Sequence, residues 1–137
     1  MTNWINTVSR DHVLQGVRGR FTQANHGQPH MLRRMAKDDW LVFYSPKTAL
    51  EGGEPLQAFT AIGQVVDDEP YQVEMTADFH PFRRNVDFLP CKETAIRPLI
   101  EDLHFIEDKK RWGYKFRFGV FKIDDHDLDL IRRNMSG

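Results

Sequence analysis

Residues 40–44 (WLVFY) are apolar on both faces of a pleated strand, and so are most of residues 57–66, which predicts two central strands covered on each side. Residues 4–8 (WINTV) read as a short first strand, and Ser9 is placed as N-cap of a brief helix through His12 to Gly16. A loop is expected over residues 16–27, then a second helix with Pro29 in its first turn and Met31, Leu32 and Met35 at helical spacing. The Gly52-Gly53 pair marks a turn between the central strands, and residues 71–75 are expected to continue the sheet. Residues 82–88 (FRRNVDF) alternate, so Phe82, Val86 and Phe88 share one face with Arg84 while Arg83, Asn85 and Asp87 take the other. An arginine on an apolar face needs a partner, so Arg84 is either locked to an internal carboxylate or open to a pocket.

Ile96, Leu99, Ile100 and Leu103 have helical spacing, with Pro98 in the first turn. Residues 112–120 (WGYKFRFGV) alternate aromatic with basic side chains and predict a strand with Lys115 and Arg117 opposite an aromatic face. Asp124 is expected to cap a final helix with Leu128, Ile131 and Met135 turned inward. Strands outnumber helices without alternating with them, which favours an α+β fold, a barrel-like sheet with peripheral helices.

A chain of 137 residues with 40% apolar and 28% charged side chains fits one domain, residues 1–137, with a proper core and no membrane helix. The opening Met1-Thr2-Asn3-Trp4 lacks the basic start and apolar stretch of a secretory signal, and Cys91 has no partner, so the cytoplasm is the expected compartment. A net charge of −1 argues against coating long nucleic acid through phosphates alone. The distribution is uneven, however. Residues 10–37 carry six basic side chains against Asp11, residues 38–78 nine acidic ones against Lys47, and residues 83–117 nine basic against six acidic. If the two basic segments meet, they form an anion patch on a neutral protein.

Candidate chemistry concentrates in residues 21–30 (FTQANHGQPH), which place amide and imidazole groups on one flexible connection. His26 and His30 stand four apart, but Gly27 and Pro29 intervene and no thiol pair completes a tetrahedral set, so no metal or other cofactor is expected. His80 lies near Asp78 without a nucleophile turn, and the glycines fit no phosphate-binding fingerprint. Aromatics offer more. Trp40 and Phe43 are assigned to the core, whereas Trp4 and Trp112, at strand starts beside polar residues, are placed at the rim of a pocket in which a base could stack.

Several segments in order resemble the EVE-domain family of small bacterial proteins: Asn3-Trp4-Ile5, Gln23 to Gly27, Met35 to Asp39 leading to Val42-Phe43-Tyr44-Ser45-Pro46, Gln57 to Gly63, Phe82-Arg83-Arg84, Ile96 to Ile100, and Trp112-Gly113 with Phe116 to Gly119. That family is similar to the PUA-like superfamily, which includes YTH readers of methylated adenine and ASCH domains. The resemblance implies a PUA-like, mixed and mainly antiparallel β pseudo-barrel flanked by short helices. It further implies a non-catalytic module recognising a modified, for example methylated, base of RNA or DNA in an aromatic-lined cleft. Carried onto this chain, Trp4, Tyr44, Ser45, Pro46 and Trp112 are expected to form the cleft, Gln23, Asn25 and His26 to read the base edge, and Arg83, Arg84 and Arg117 to neutralise phosphate. One departure is Asp38 before Asp39, where many relatives carry glycine. The alternatives are a small hydrolase or nucleotide-processing enzyme using His26 or His80 as base, and a metabolite-sensing domain.

Overall fold

The computed structural model describes residues 1–23 and 30–136. Eight strands form the sheet: β1 (Asn3–Thr7), β2 (Phe21–Gln23), β3 (Trp40–Lys47), β4 (Pro55–Val65), β5 (Tyr71–Gln72), β6 (Phe82–Phe88), β7 (Thr94–Ala95) and β8 (Val120–Ile123). Helices α1 (Arg10–Gly19), α2 (His30–Arg33) and α3 (Asp125–Met135) flank it. The strand order is β2-β6-β4-β3-β1-β8, with β5 on β6 and β7 on β4. Only β1 and β3 run parallel among these pairs, from Asn3 opposite Trp40 to Thr7 opposite Tyr44; the others are antiparallel. The result is the expected α+β architecture, a mixed, mainly antiparallel sheet curled into a half-barrel with few helices.

The two-sided apolar strands have two cores to fill. Ile5, Val42 and Ile62 face one cluster with Leu103, Phe121 and Ile131, whereas Trp4, Leu41, Phe43 and Ala61 face another with Val13, Met35 and Val86. Alternate residues of one strand therefore serve opposite layers. Gly63 lets β4 and β6 approach, since a Cβ there would lie 2.5 Å from the Asp87 carbonyl oxygen. Asp38 takes φ 75°, a left-handed turn entering β3 that aspartate tolerates better than most residues.

Local signals settled the last helix. Asp124 Oδ1 accepts the Asp127 N–H at 2.8 Å, and Leu128, Ile131 and Met135 are buried. Ser9 occupies the N-cap of α1, although its hydroxyl donates to Asp11 Oδ1 at 2.6 Å and accepts no backbone N–H of the helix.

Elsewhere the chain departs from its pattern. Of the loop expected over residues 16–27, the described part is regular: α1 runs to Gly19, Arg20 turns the chain at φ 60°, and β2 (Phe21–Gln23) forms because β6 supplies its ladder, while residues 24–27 lie outside the described residues. The segment beginning at Ile96 makes a single 3₁₀ turn, Arg97–Leu99. Residues 112–120 are not a strand. They hold the 3₁₀ turn Tyr114–Phe118, preceded by a second turn at Lys109–Arg111, and pairing with β1 starts only at Val120. A 3₁₀ turn rotates about 120° per residue, so aromatics two apart point in three directions and share no face. Phe116 turns inward and stacks on Tyr44, ring centroids 3.8 Å apart, while Tyr114 and Phe118 stay outside.

Arg84 is locked, as one of its two expected states required. It is fully buried on β6; Nε donates to Asp67 Oδ1 at 2.6 Å and Nη2 to the Asp67 carbonyl at 2.8 Å. Nη1 donates to the carbonyl oxygens of Leu32 and Met35 at 2.7 and 2.5 Å. One guanidinium thus satisfies the end of α2 and the chain leaving β4. It is spent on the protein and cannot neutralise a phosphate, which corrects the expectation for this residue. Arg84→Leu leaves Asp67 and two carbonyls without their donor, and urea denaturation should show a loss of about 3–5 kcal/mol.

Candidate nucleic-acid interface

A cavity of about 700 Å³ opens where the ends of β1 and β3 meet the start of α1 and the edge strand β2. That is within the roughly 300–1,000 Å³ of ordinary ligand pockets. Val13 and Phe43 form its apolar wall; Leu50, Met75 and Phe79, all exposed, stand at its rim. Helix α1 and β2 can close one side because Gly16 has no side chain: a Cβ there would sit 2.5 Å from the Phe21 carbonyl oxygen.

Polar groups converge on the same space. Thr7 and Thr22 line it, and Asn6, buried behind Thr22, donates from Nδ2 to Thr22 Oγ1 at 3.4 Å. Among the described residues, Asn6 Oδ1 and Thr7 Oγ1 are buried without a hydrogen-bond partner. Buried polar atoms are normally paired, so each calls for a partner, and as consecutive residues of β1 the two side chains leave opposite faces of the sheet. At the mouth, the Arg83 guanidinium carbon lies over the Phe21 ring, 3.7 Å from its centroid, and Nε donates to Gln23 Oε1 at 3.0 Å. That bond fixes the amide of Gln23, leaving its NH₂ to donate.

The profile of the EVE domain matches residues 2–134. The chain belongs to the EVE-domain family. Relatives named UPF0310 protein include one from Mycolicibacterium vanbaalenii, 78% identical over 135 residues that cover 98% of this chain and 93% of the relative. Another, from Bacillus licheniformis, is 50% identical over 128 residues, covering 93% and 87%. Among solved structures, a Rhodopseudomonas palustris protein superposes with TM-score 0.57 at 15% identity, covering 98% of this chain and 93% of that one. A hypothetical protein from Leishmania major gives 0.59 at 13%, covering 97% and 93%. At such identity these likenesses establish the fold alone.

In this EVE domain the cavity gathers Gln23, Pro46 and Arg83 of the residues expected to bind. Asn25 and His26 lie outside the described residues. Trp4 is not at a rim: it is 1% exposed, and its Nε1 donates to Asp39 Oδ2 at 2.9 Å. Its polar neighbours, which suggested exposure, are themselves buried, Asn3 held by Asp125 and Asn6 by Thr22. Tyr44 and Ser45 are also buried, Tyr44 on Phe116 and Ser45 Oγ 2.8 Å from Thr60 Oγ1. Burial pushes the Tyr44 hydroxyl up to about 12, against an opposing influence of Arg97, and keeps it neutral. Trp112 packs half-buried against the core on the other face of the sheet, with the Arg97 guanidinium 5.4 Å from its ring. Arg117 is exposed and lies 5.3 Å from the Tyr114 ring. Neither joins the cavity. The residues that sequence reasoning missed are Asn6, Thr7 and Thr22; two consecutive polar residues ending an apolar strand were the available signal.

His104, Asp124, His126 and Asp127 bring their ligand atoms within 4.8 Å of one another. The carboxylates already hold backbone: Asp124 caps α3, and Asp127 accepts the N–H groups of His104 and Phe105 at 2.8 Å each. A cation there would face the positive end of the α3 dipole. The cluster fastens α3 to the chain at His104. His80, the other imidazole considered as a base, is exposed and does not line the cavity. Among the described residues no helix is long and apolar enough to cross a membrane.

Asp39 behaves as an anchor. Burial raises its carboxyl pKa, but N–H donors from Thr2, Trp4 and Ala36 at 2.9 Å outweigh that and hold it below the ordinary 3.8. Between the two values the unfolded chain binds more protons, so this stabilisation is complete above pH 3.8 and disappears as pH falls through the lower folded value. Asp39→Asn should cost about 1–3 kcal/mol at neutral pH and flatten the acid limb of a stability-against-pH curve.

Proposed function

We propose that this EVE domain is a non-catalytic nucleic-acid-binding module whose cavity takes a single modified base of RNA or DNA. The supporting observation is the cavity itself, where Thr7, Thr22, Gln23 and Arg83 stand around the wall of Val13 and Phe43 and where, among the described residues, the buried Thr7 Oγ1 has no partner. A heterocycle has the matching shape: flat apolar faces for the wall, and donors and acceptors confined to its edge. The Thr7 and Thr22 hydroxyls can donate or accept, and the Gln23 amide donates from the mouth. Arg83, over Phe21, is the cation at hand for a neighbouring phosphate. A methyl group on the base would fill apolar space between Val13 and Phe43, the kind of contact worth about 1–3 kcal/mol or roughly 10- to 200-fold.

Fluorescence anisotropy with oligonucleotides carrying one N6-methyladenine or one 5-methylcytosine, and their unmodified counterparts, tests this at two salt concentrations. A preference for a methylated strand, weakening as salt rises, is the expected result. Equal or undetectable binding throughout would sink the reading. Thr7→Val sharpens the test because it removes an unpaired buried hydroxyl without changing shape. Its melting temperature should hold or rise, whereas affinity for the preferred strand should fall roughly tenfold.

A further inference from the structure

We propose that the 3₁₀ turn Tyr114–Phe118 is a stacking platform for the nucleotides flanking the base in the cavity, so that the ligand is a single-stranded polynucleotide rather than a free nucleoside or a duplex. This rests on the reading of the cavity given above and extends it to the polymer. Tyr114 and Phe118 are 52% and 58% exposed, and their rings meet edge to face at 5.6 Å. Leaving two adjoining aromatic rings in water is unfavourable, and the pitch of the turn does so while Phe116 alone anchors it to Tyr44.

Charge identifies the occupant. Lys110, Arg111, Lys115 and Arg117 stand within four residues of Tyr114 in the chain, and among the described residues none of the four makes an ion pair with a carboxylate. Arg117 lies over the Tyr114 ring, which holds its guanidinium beside an aromatic face. Cations interleaved with exposed rings suit an unpaired strand, whose bases have free faces to stack and whose phosphates run alongside. A duplex keeps those faces against its own neighbours.

Position links platform to cavity. Thr7, which lines the cavity, donates its N–H to the Gly119 carbonyl oxygen at 2.8 Å. Gly119, at φ 75°, directly follows Phe118 and turns the chain into β8. The platform therefore begins beside the strand end that carries the unpaired hydroxyl. Cavity lining and platform thus meet at one backbone hydrogen bond, where a strand seating one base in the cavity would continue toward the exposed rings.

The experiment compares wild type, a Tyr114→Ala/Phe118→Ala double variant and Arg117→Gln. The probe is a fluorescein-labelled strand of about 12 nucleotides carrying the methylated base that the wild type prefers, used single and annealed. Both rings are exposed, so the double variant should melt with wild-type cooperativity. It should bind the single strand at least tenfold more weakly with an unchanged salt slope, whereas Arg117→Gln should reduce the slope by about 0.7. Calorimetry with the methylated nucleoside should show all three proteins equal, since the cavity is intact. Wild-type affinity in the double variant, tighter binding of the duplex, or a strand bound no tighter than its nucleoside would each overturn the platform while leaving the cavity reading in place. Failure of the cavity reading looks different: no methyl preference in the wild type and no effect of Thr7→Val.

Discussion

The guanidinium of Arg84 is the constraint around which one half of this fold is arranged. A charge with no water contact survives only if each N–H finds an acceptor, and the acceptors come from the end of α2 with the residues just after it and from Asp67 on the connection leaving β4. Those segments are distant in sequence, so satisfying one side chain fixes their mutual placement. The strand alternation then carries the effect outward: with Arg84 turned in, Arg83 turns out, where it lies on Phe21 and holds Gln23.

A second anchor acts at the other edge. Asp39 gathers N–H groups from Thr2, Trp4 and Ala36, which seats β1 beside β3 in parallel register. The end of β1 is thereby committed: Thr7 must lie next to Gly119 on one side and the Tyr44 carbonyl must take the N–H of Val8 on the other. Among the described residues, Asn6 Oδ1 and Thr7 Oγ1 are left buried there without a partner. Polar atoms kept dry in this way discriminate strongly, since a ligand that cannot pair with them leaves their desolvation uncompensated.

Local rules made much of the architecture legible. Two-sided apolar runs located β3 and β4, period-two alternation located β6 and the inward Arg84, and the Asp124 cap located α3. In each case the cause lies within a few residues. The three-residue β2 was not legible, and the strand expected over residues 71–75 shortens to the two residues of β5, because both ladders depend on β6. The turn at Tyr114–Phe118 defeated the pattern for another reason: alternation of rings and cations describes a strand only where a partner strand exists, and β1 pairs no further than Val120.

By itself the sequence determined the family, the α+β class, the central strands and the need of Arg84 for an internal partner, since these follow from periodicity and from the cost of an unpaired charge. Which side chains meet at the cavity was decided only in three dimensions. Trp4, Tyr44 and Ser45 have the chemistry of a binding site but sit in the core, whereas Thr7 and Thr22, unremarked in the chain, line the cavity, with Asn6 bonded to Thr22. The reason is physical: burial and hydrogen-bond satisfaction are properties of the assembled neighbourhood, and residues far apart in sequence supply most of it.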